Sequence, residues 1–310
     1  MKKQFSYTIV FFLFLLMALP QKGLAFKAAA DTSINGDSII AAGAVPQLVS
    51  AQFAFTEGPA VDRQGNIFFT DQPNNRIWKY ATDGKLSVFL DSAGRSNGMY
   101  FDKKGRLISC ADEHNQLWSI STKGKVEVLV TLYNGKHLNG PNDLWIDNKG
   151  GIYITDPYYQ RSWWTRTAPE LAGENVYYLP AGKKELTPVA EDLLKPNGIV
   201  GTPDGQTLYV ADIKANKTWK YGIMPDGRLS DKQLFVNQGS DGMTLDNRGN
   251  VYLTGNGVTV YSPQGEQLLH IPIPGKWTAN VCFGGKDRSV LFITASESVY
   301  VLQTLVKGVE

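Results

Sequence analysis

One unit, recurring six times, limits what this chain can fold into. Copies open at Glu57 (EGPAVDRQGNIFFTD), Asn97 (NGMYFDKKGRLISCAD), Asn142 (NDLWIDNKGGIYITD), Asn197 (NGIVGTPDGQTLYVAD) and Asp241 (DGMTLDNRGNVYLTG), with a weaker sixth at Asn280 (NVCFGGKDRSVLFITA). Their spacing of roughly 40 to 55 residues is that of propeller blades. Each copy starts with a short strand, turns at an Asp/Asn/Lys-Gly stretch, and continues in a strand rich in β-branched and aromatic residues. Third strands such as RIWKY, QLWSI, VYYL and TWKY follow, then fourth strands such as LSVFL or VEVLV. Four short strands per repeat, joined by tight turns, make a blade. The expected fold is therefore all-β, a six-bladed β-propeller of four-stranded antiparallel blades over residues 47–310. The segment PQLVSAQFAF, just ahead of Glu57, is left over to close the ring onto the last blade.

The first 25 residues read differently. Lys2 and Lys3 precede an apolar run from Tyr7 to Leu19, and Gly23-Leu24-Ala25 suits a small-residue cleavage site. This is the pattern of a secretory signal peptide, which implies a periplasmic or secreted protein. Residues 26–46 then form a flexible N-terminal segment. Without Lys2, Lys3 and Lys22 the formal net charge changes from +2 to about −1. No basic stripe remains to track phosphates, so nucleic acid is not an expected partner, nor is a membrane once the signal is removed. The expected assembly is a monomer or a weak dimer. Cys110 and Cys282, far apart and both in strand-like runs, are expected as two buried thiols, although an exported protein permits a disulfide.

The repeat places one polar residue at the same slot of every copy: Glu57, Asn97, Asn142, Asn197, Asp241 and Asn280. In a propeller the first strand of each blade lines the central channel, so six equivalent slots form a ring at one mouth. Gly follows at 58, 98, 198 and 242, which lets backbones crowd where the strands converge. Such a ring offers hard oxygen ligands with two carboxylates, matching one divalent cation. Ca²⁺ fits this set best, with Mg²⁺, Mn²⁺ or Zn²⁺ as alternatives. Two facing carboxylates would otherwise repel and raise each other's pKa. Asn280, in the weakest copy, is expected to matter little for metal. Asp71, Asp112, Asp156 and Asp212 close the second strands and are expected to hydrogen-bond within the following turns.

Other chemistries are hard to build here. Three His residues are too few for a His-rich metal centre, and there is no G-x-S-x-G elbow, Walker loop or Rossmann glycine pattern. Residues 158–175 (YYQRSWWTRTAPELAGEN) form the longest connection and are rich in Trp, Tyr and Arg, as a wall or lid over the channel mouth would be.

The motifs TEGPAVDRQGNIFFTD, NGPNDLWIDNKGGIYITDP, PNGIVGTPDGQTLYVAD, SDGMTLDNRGNVYLTG and NVCFGG resemble the gluconolactonase, senescence marker protein and luciferin-regenerating enzyme family over roughly residues 50–303. The resemblance implies a six-bladed propeller, a divalent metal in its channel and hydrolysis of sugar lactones. Carried over by motif, the metal ligands are Glu57, Asn197, Asp241 and Asn142. Asp241 is also the catalytic base. Asn142, Asp143, Asn97 and His137 are substrate-binding positions. Two departures bear on the substrate: animal members carry Arg where this chain has Gly140, and many bacterial relatives have another basic residue at position 137. The expected function is a metal-dependent lactonase acting on a small-molecule lactone or ester. The alternatives are a ligand-binding propeller with a structural Ca²⁺, or an esterase or phosphotriesterase-like hydrolase.

Overall fold

The computed structural model describes residues 39–309; the signal-peptide reading lies outside them. Six four-stranded antiparallel blades are arranged as a β-propeller. The innermost strands are Thr56–Val61, Ser96–Phe101, Leu144–Ile146, Pro196–Gly201, Met243–Leu245 and Thr278–Gly284. Ring closure is by a strand from each end of the described chain. Gln47–Ser50 pairs antiparallel with Ser298–Gln303 and becomes the outermost strand of blade six. The leftover segment ahead of Glu57 therefore does what the strand count required.

Burial follows position within the blade. The second strands, such as Ile67–Asp71, Leu107–Ala111 and Ile152–Asp156, are buried at every residue. They are packed on both faces by neighbouring blades, so they read as continuous apolar runs. The outer strands, such as Leu86–Asp91, have exposed residues. Blade six meets blade one through Phe292, Cys282 and Val299 against Phe53, Val61, Ile67 and Phe69. Phe53 lies edge-on to Phe69 at 5.2 Å and to Trp78 at 5.4 Å. Cys110 and Cys282 are both buried, and neither is in a disulfide.

The turn between first and second strands has one recurring device. The Oδ1 atoms of Asp62, Asp102, Asp147 and Asp246 each accept the backbone N–H groups two and four residues ahead. A side chain that mimics a turn carbonyl fixes the hairpin, and the Gly that follows takes the positive φ. In Asp246–Asn250 the carboxylate is fully engaged: Oδ2 also accepts from Asn250 Nδ2 at 2.7 Å and Tyr252 Oη at 3.0 Å.

The aspartates closing the second strands reach further than expected. Asp71 accepts from the N–H groups of Ala54 and Phe55, Asp156 from Asn139 and Gly140, and Asp212 from Leu194 and Lys195. Each ties the end of its strand to the segment leading into the first strand of the same blade. Of the segment 26–46 only residues 39–46 are described; there Ile39 is fully buried beside the blade-six core, and its O accepts from Leu305 N–H at 2.8 Å. Among the described residues no helix is long and apolar enough to cross a membrane.

Candidate active site

The slot positions of successive blades meet where the innermost strands converge, and the glycines beside them show how closely. A Cβ at Gly58 would lie 2.1 Å from Asn97 O, one at Gly98 would lie 2.3 Å from Asp143 Oδ1, and one at Gly198 would lie 2.8 Å from Asp241 O. A Cβ at Gly242 would lie 2.0 Å from the Asn280 side chain. Successive blades thus touch slot to slot through missing side chains. Between Gly98 N–H and Asn142 O the contact is a 2.7 Å hydrogen bond.

A local irregularity aims the slot residues. The pairing of first and second strands shifts register between Glu57 and Ala60, Ser96 and Met99, Pro196 and Ile199, and Thr278 and Asn280. In blades three and five the ladder starts only at Leu144 and Met243, just beyond Asn142 and Asp241. Bulges re-aim a side chain at the cost of unpaired backbone groups. Threonines of the second strands satisfy these groups. Asp143 N–H donates to Thr155 Oγ1 at 3.0 Å, Gly242 N–H to Thr254 Oγ1 at 2.8 Å, and Asn280 N–H to Thr294 Oγ1 at 2.9 Å. Thr254 Oγ1 also donates onward to Ala279 O at 2.8 Å. The Thr recurring in ITD, LTG and ITA was the sequence signal for this role.

Three carboxylates gather there. Glu57 is 4% exposed and its Oε2 accepts Gly58 N–H at 3.0 Å. Burial, then the charges of Asp241 and Asp143, raise its pKa well above the ordinary range. Burial pushes Asp143 up to about 7 and Asp241 up to about 6. Hydrogen bonds from Trp277 and Asn197 hold Asp241 down from a higher value; Trp277 Nε1 lies 2.5 Å from its Oδ2. Asn280 completes the ring. Its Oδ1 accepts Val281 N–H, and its side chain lies near enough to Glu57 and Asp143 to lower the pKa of both.

Asn197 is 2% exposed. Its Nδ2 donates to Tyr159 Oη at 3.1 Å, and its side chain faces Asp241 closely enough to lower that carboxylate's pKa. Its Oδ1 is left buried with no partner. A buried unpartnered oxygen is costly unless something occupies the space in front of it. A hard cation is a fitting occupant, with Glu57 and Asp241 supplying charge and Asn197 Oδ1 a neutral oxygen. No cluster of three or more His, Cys, Asp or Glu side chains suited to a metal exists among the described residues. A metal here would rest on a mixed carboxylate and amide donor set.

Asn97, Asn142 and Asp143 are buried in the ring as the repeats required. His137 is not brought to it. It lies exposed on the hairpin of Leu132–Tyr133 and Lys136–His137, its backbone N–H held by Glu170 Oε2 at 2.8 Å. The hairpin lies outside the four-stranded blades, and the Glu170 that holds it belongs to the connection 158–175. The connection 158–175 does reach the mouth. Tyr159 contacts Asn197, Arg161 Nε donates to Asp112 Oδ2 at 2.9 Å, and Trp164 Nε1 donates to Asp112 O at 2.9 Å. A Cβ at Gly140 would lie 2.9 Å from both Asp112 Oδ1 and the Trp164 ring, so the departure at Gly140 makes room for this loop.

Fold and site together define a six-bladed propeller with a buried acid–amide cluster where its innermost strands converge. Residues 55–297 match the SMP-30/gluconolactonase/LRE-like region, and the chain belongs to that family. It is 29% identical over 304 residues to a gluconolactonase of Zymomonas mobilis, which spans 88% of this chain and 85% of that protein. A solved structure of a Xanthomonas campestris gluconolactonase superposes with a TM-score of 0.80 at 31% identity, covering 86% of this chain and 92% of the other. A calcium-binding regucalcin from Agrobacterium tumefaciens shares the fold, with a TM-score of 0.72 at 20% identity over 86% of this chain and 95% of its own.

Proposed function

We propose that this protein is a lactone hydrolase that uses one divalent cation, Ca²⁺ by preference, at the channel mouth. The observation that carries the reading is the unpartnered Asn197 Oδ1 beside two buried carboxylates, Glu57 and Asp241. Glu57, Asn197, Asp241 and Asn142 would hold the ion. When bound, it would polarise the ring carbonyl and stabilise negative charge on that oxygen.

The chain's own residues do the rest. Asp241 takes a proton from the attacking water as the water oxygen bonds to the carbonyl carbon. The ring C–O bond then breaks, and the same proton goes to the leaving alkoxide, giving the hydroxy acid. Asn97, Asn142 and Asp143 hold substrate hydroxyls. The tight mouth and the loop at 158–175 limit water around the reacting carbonyl. The class of substrate is a small polar lactone, which is what the gluconolactonase relatives are named for. Export to the periplasm or medium, from the pattern of residues 1–25, belongs to the same proposal.

Asp241 must be ionised to act as base. Its pKa is pushed up to about 6 by burial, so activity rises through that region from the acid side. A cation between Asp241 and Glu57 favours both ionised forms and moves the limb to lower pH. The check is the pH profile of kcat/KM for gluconolactone hydrolysis, run at increasing Ca²⁺. A limb that ignores Ca²⁺ separates Asp241 from the ion. Chelator treatment that leaves hydrolysis and melting temperature unchanged would remove the ion from the mechanism.

Tyr159 gives a second check. It accepts one of the two Asn197 N–H groups, so Tyr159→Phe loosens the amide that aims Oδ1. One net hydrogen bond of about 0.5–1.5 kcal/mol corresponds to a loss of roughly 3- to 10-fold in Ca²⁺ affinity. Calorimetric titration reads this directly, and an unchanged affinity would show that Tyr159 does not position Asn197.

A further inference from the structure

We infer that Arg161 is a substrate-binding residue that selects lactones carrying a second, anionic group at the end remote from the ester; this rests on the lactone-hydrolase reading. The loop 158–175 carries two arginines, Arg161 and Arg166, which lie near Lys195 and Arg95, and the other three cations are held by the protein. Lys195 Nζ is held by Tyr158 O at 2.7 Å and Glu174 Oε1 at 3.1 Å. Arg166 Nη2 donates to Asn139 O, its guanidinium stacks 4.1 Å over Trp164, and its Nε and Nη1, though unpartnered, are buried. Arg95 leans toward Glu113 at 3.7 Å and donates to Pro73 O.

Arg161 differs. Asp112 holds it through Nε alone, and its two terminal nitrogens make no hydrogen bond among the described residues. Its side chain is 22% exposed, so those nitrogens are reachable. The guanidinium lies 5.6 Å from the ring centres of both Tyr159 and Trp163, which fix its plane. It sits close enough to Asp241 for its charge to act on that carboxylate. The result is a rigid two-donor fork at the rim of the site, anchored from behind by a buried acid.

Such a fork matches the paired oxygens of a carboxylate or phosphate better than a single hydroxyl. The other side of the site holds Glu57, Asp143 and Asp241, where the proposed cation and the reacting carbonyl belong. A substrate with an ester at one end and an anion at the other therefore has one orientation: the carbonyl toward the carboxylate cluster and the anion toward Arg161. The geometry points to aldonolactones with a terminal carboxylate or phosphate, and the two are separated by the test.

The probes are the open-chain products gluconate, glucarate and 6-phosphogluconate, titrated calorimetrically into the Ca²⁺-loaded wild type and Arg161→Gln. The wild type is expected to bind glucarate or 6-phosphogluconate about 10- to 100-fold more tightly than gluconate, the range of one charged bidentate contact. The tighter of the two identifies the anion. Arg161→Gln is expected to lose that preference, and Arg161→Lys, which keeps the charge without the fork, to retain a part of it. Equal affinity for all three in the wild type overturns the inference regardless of how the variants fold, as does an equal loss for all three in Arg161→Gln. Selective anion binding without hydrolysis of glucono-1,5-lactone or glucaro-1,4-lactone would leave the Arg161 site standing and remove the hydrolase reading. Hydrolysis without selectivity would do the reverse.

Discussion

Asp241→Asn is expected to reduce kcat for lactone hydrolysis by about 10²- to 10⁴-fold, the usual contribution of a general base. The substitution keeps the size of the side chain and one acceptor for the Trp277 indole, which now donates at 2.5 Å. It removes the ability to take a proton. It also removes one of the two anionic ligands proposed for the cation, so the loss has two components that must be separated. Glu57→Gln supplies the comparison. Glu57 is buried at 4% exposure and anchored through Gly58 N–H, and it has no proton-transfer role. Its loss should act through the metal alone. Loss of a mere supporting partner costs about 10- to 100-fold in metal affinity, and loss of a charged ligand should cost at least that. High Ca²⁺ should therefore restore activity to Glu57→Gln but only occupancy to Asp241→Asn. Metal content measured beside acid release decides it. Near-normal turnover by refilled Asp241→Asn would remove Asp241 as the base, and full occupancy in both variants at low Ca²⁺ would remove the site.

The second large effect is on stability. Gly58→Ala should cost at least about 4 kcal/mol, a large share of the roughly 5–15 kcal/mol by which an ordinary domain is stable. The physical reason is double. Gly58 has φ of +43°, a region that side chains disfavour. Its Cβ would also sit 2.1 Å from Asn97 O and 2.7 Å from Gly98 Cα, both backbone atoms of the next blade. A flexible side chain could move aside, whereas two bulged strands packed slot against slot cannot. Urea unfolding, or soluble yield if the variant does not fold, reads the result. By contrast, a Cβ at Gly105, also at positive φ, meets nothing within 4 Å. Gly105→Ala should therefore cost only the backbone strain, about 1–2 kcal/mol. Similar losses at the two positions would show that crowding at the channel is not what Gly58 serves.

Much of this protein was legible in its sequence because a repeat exposes its own geometry. Six copies of one unit gave the blades, and equivalent positions in a closed ring must face one another. That argument found Glu57, Asn97, Asn142, Asn197 and Asp241 without any contact being known, and the leftover strand gave the closure that Gln47–Ser50 makes. The Asp-Gly turns were local, so their hydrogen bonds followed from residue type.

What the tertiary structure decided was everything that joins one copy to another or breaks the repeat. The register shifts that turn the slot side chains inward arise from strand convergence and leave only a Gly and a Thr as traces. Asn280 belongs to the weakest copy, and only the closed ring brings its side chain near both Glu57 and Asp143. Trp277 reaches Asp241 from 36 residues away and Tyr159 reaches Asn197 from 38, distances at which sequence pattern carries no register. Loop 158–175 belongs to no repeat, so nothing in the pattern could say which of its arginines is consumed by packing and which is left open. His137 lies on a two-stranded hairpin outside the four-stranded blades, and the period says nothing of where an insertion points its side chains. Periodicity fixes positions that every copy shares. The chemistry that distinguishes one copy from another is set by contacts between them, and those exist only once the ring has closed.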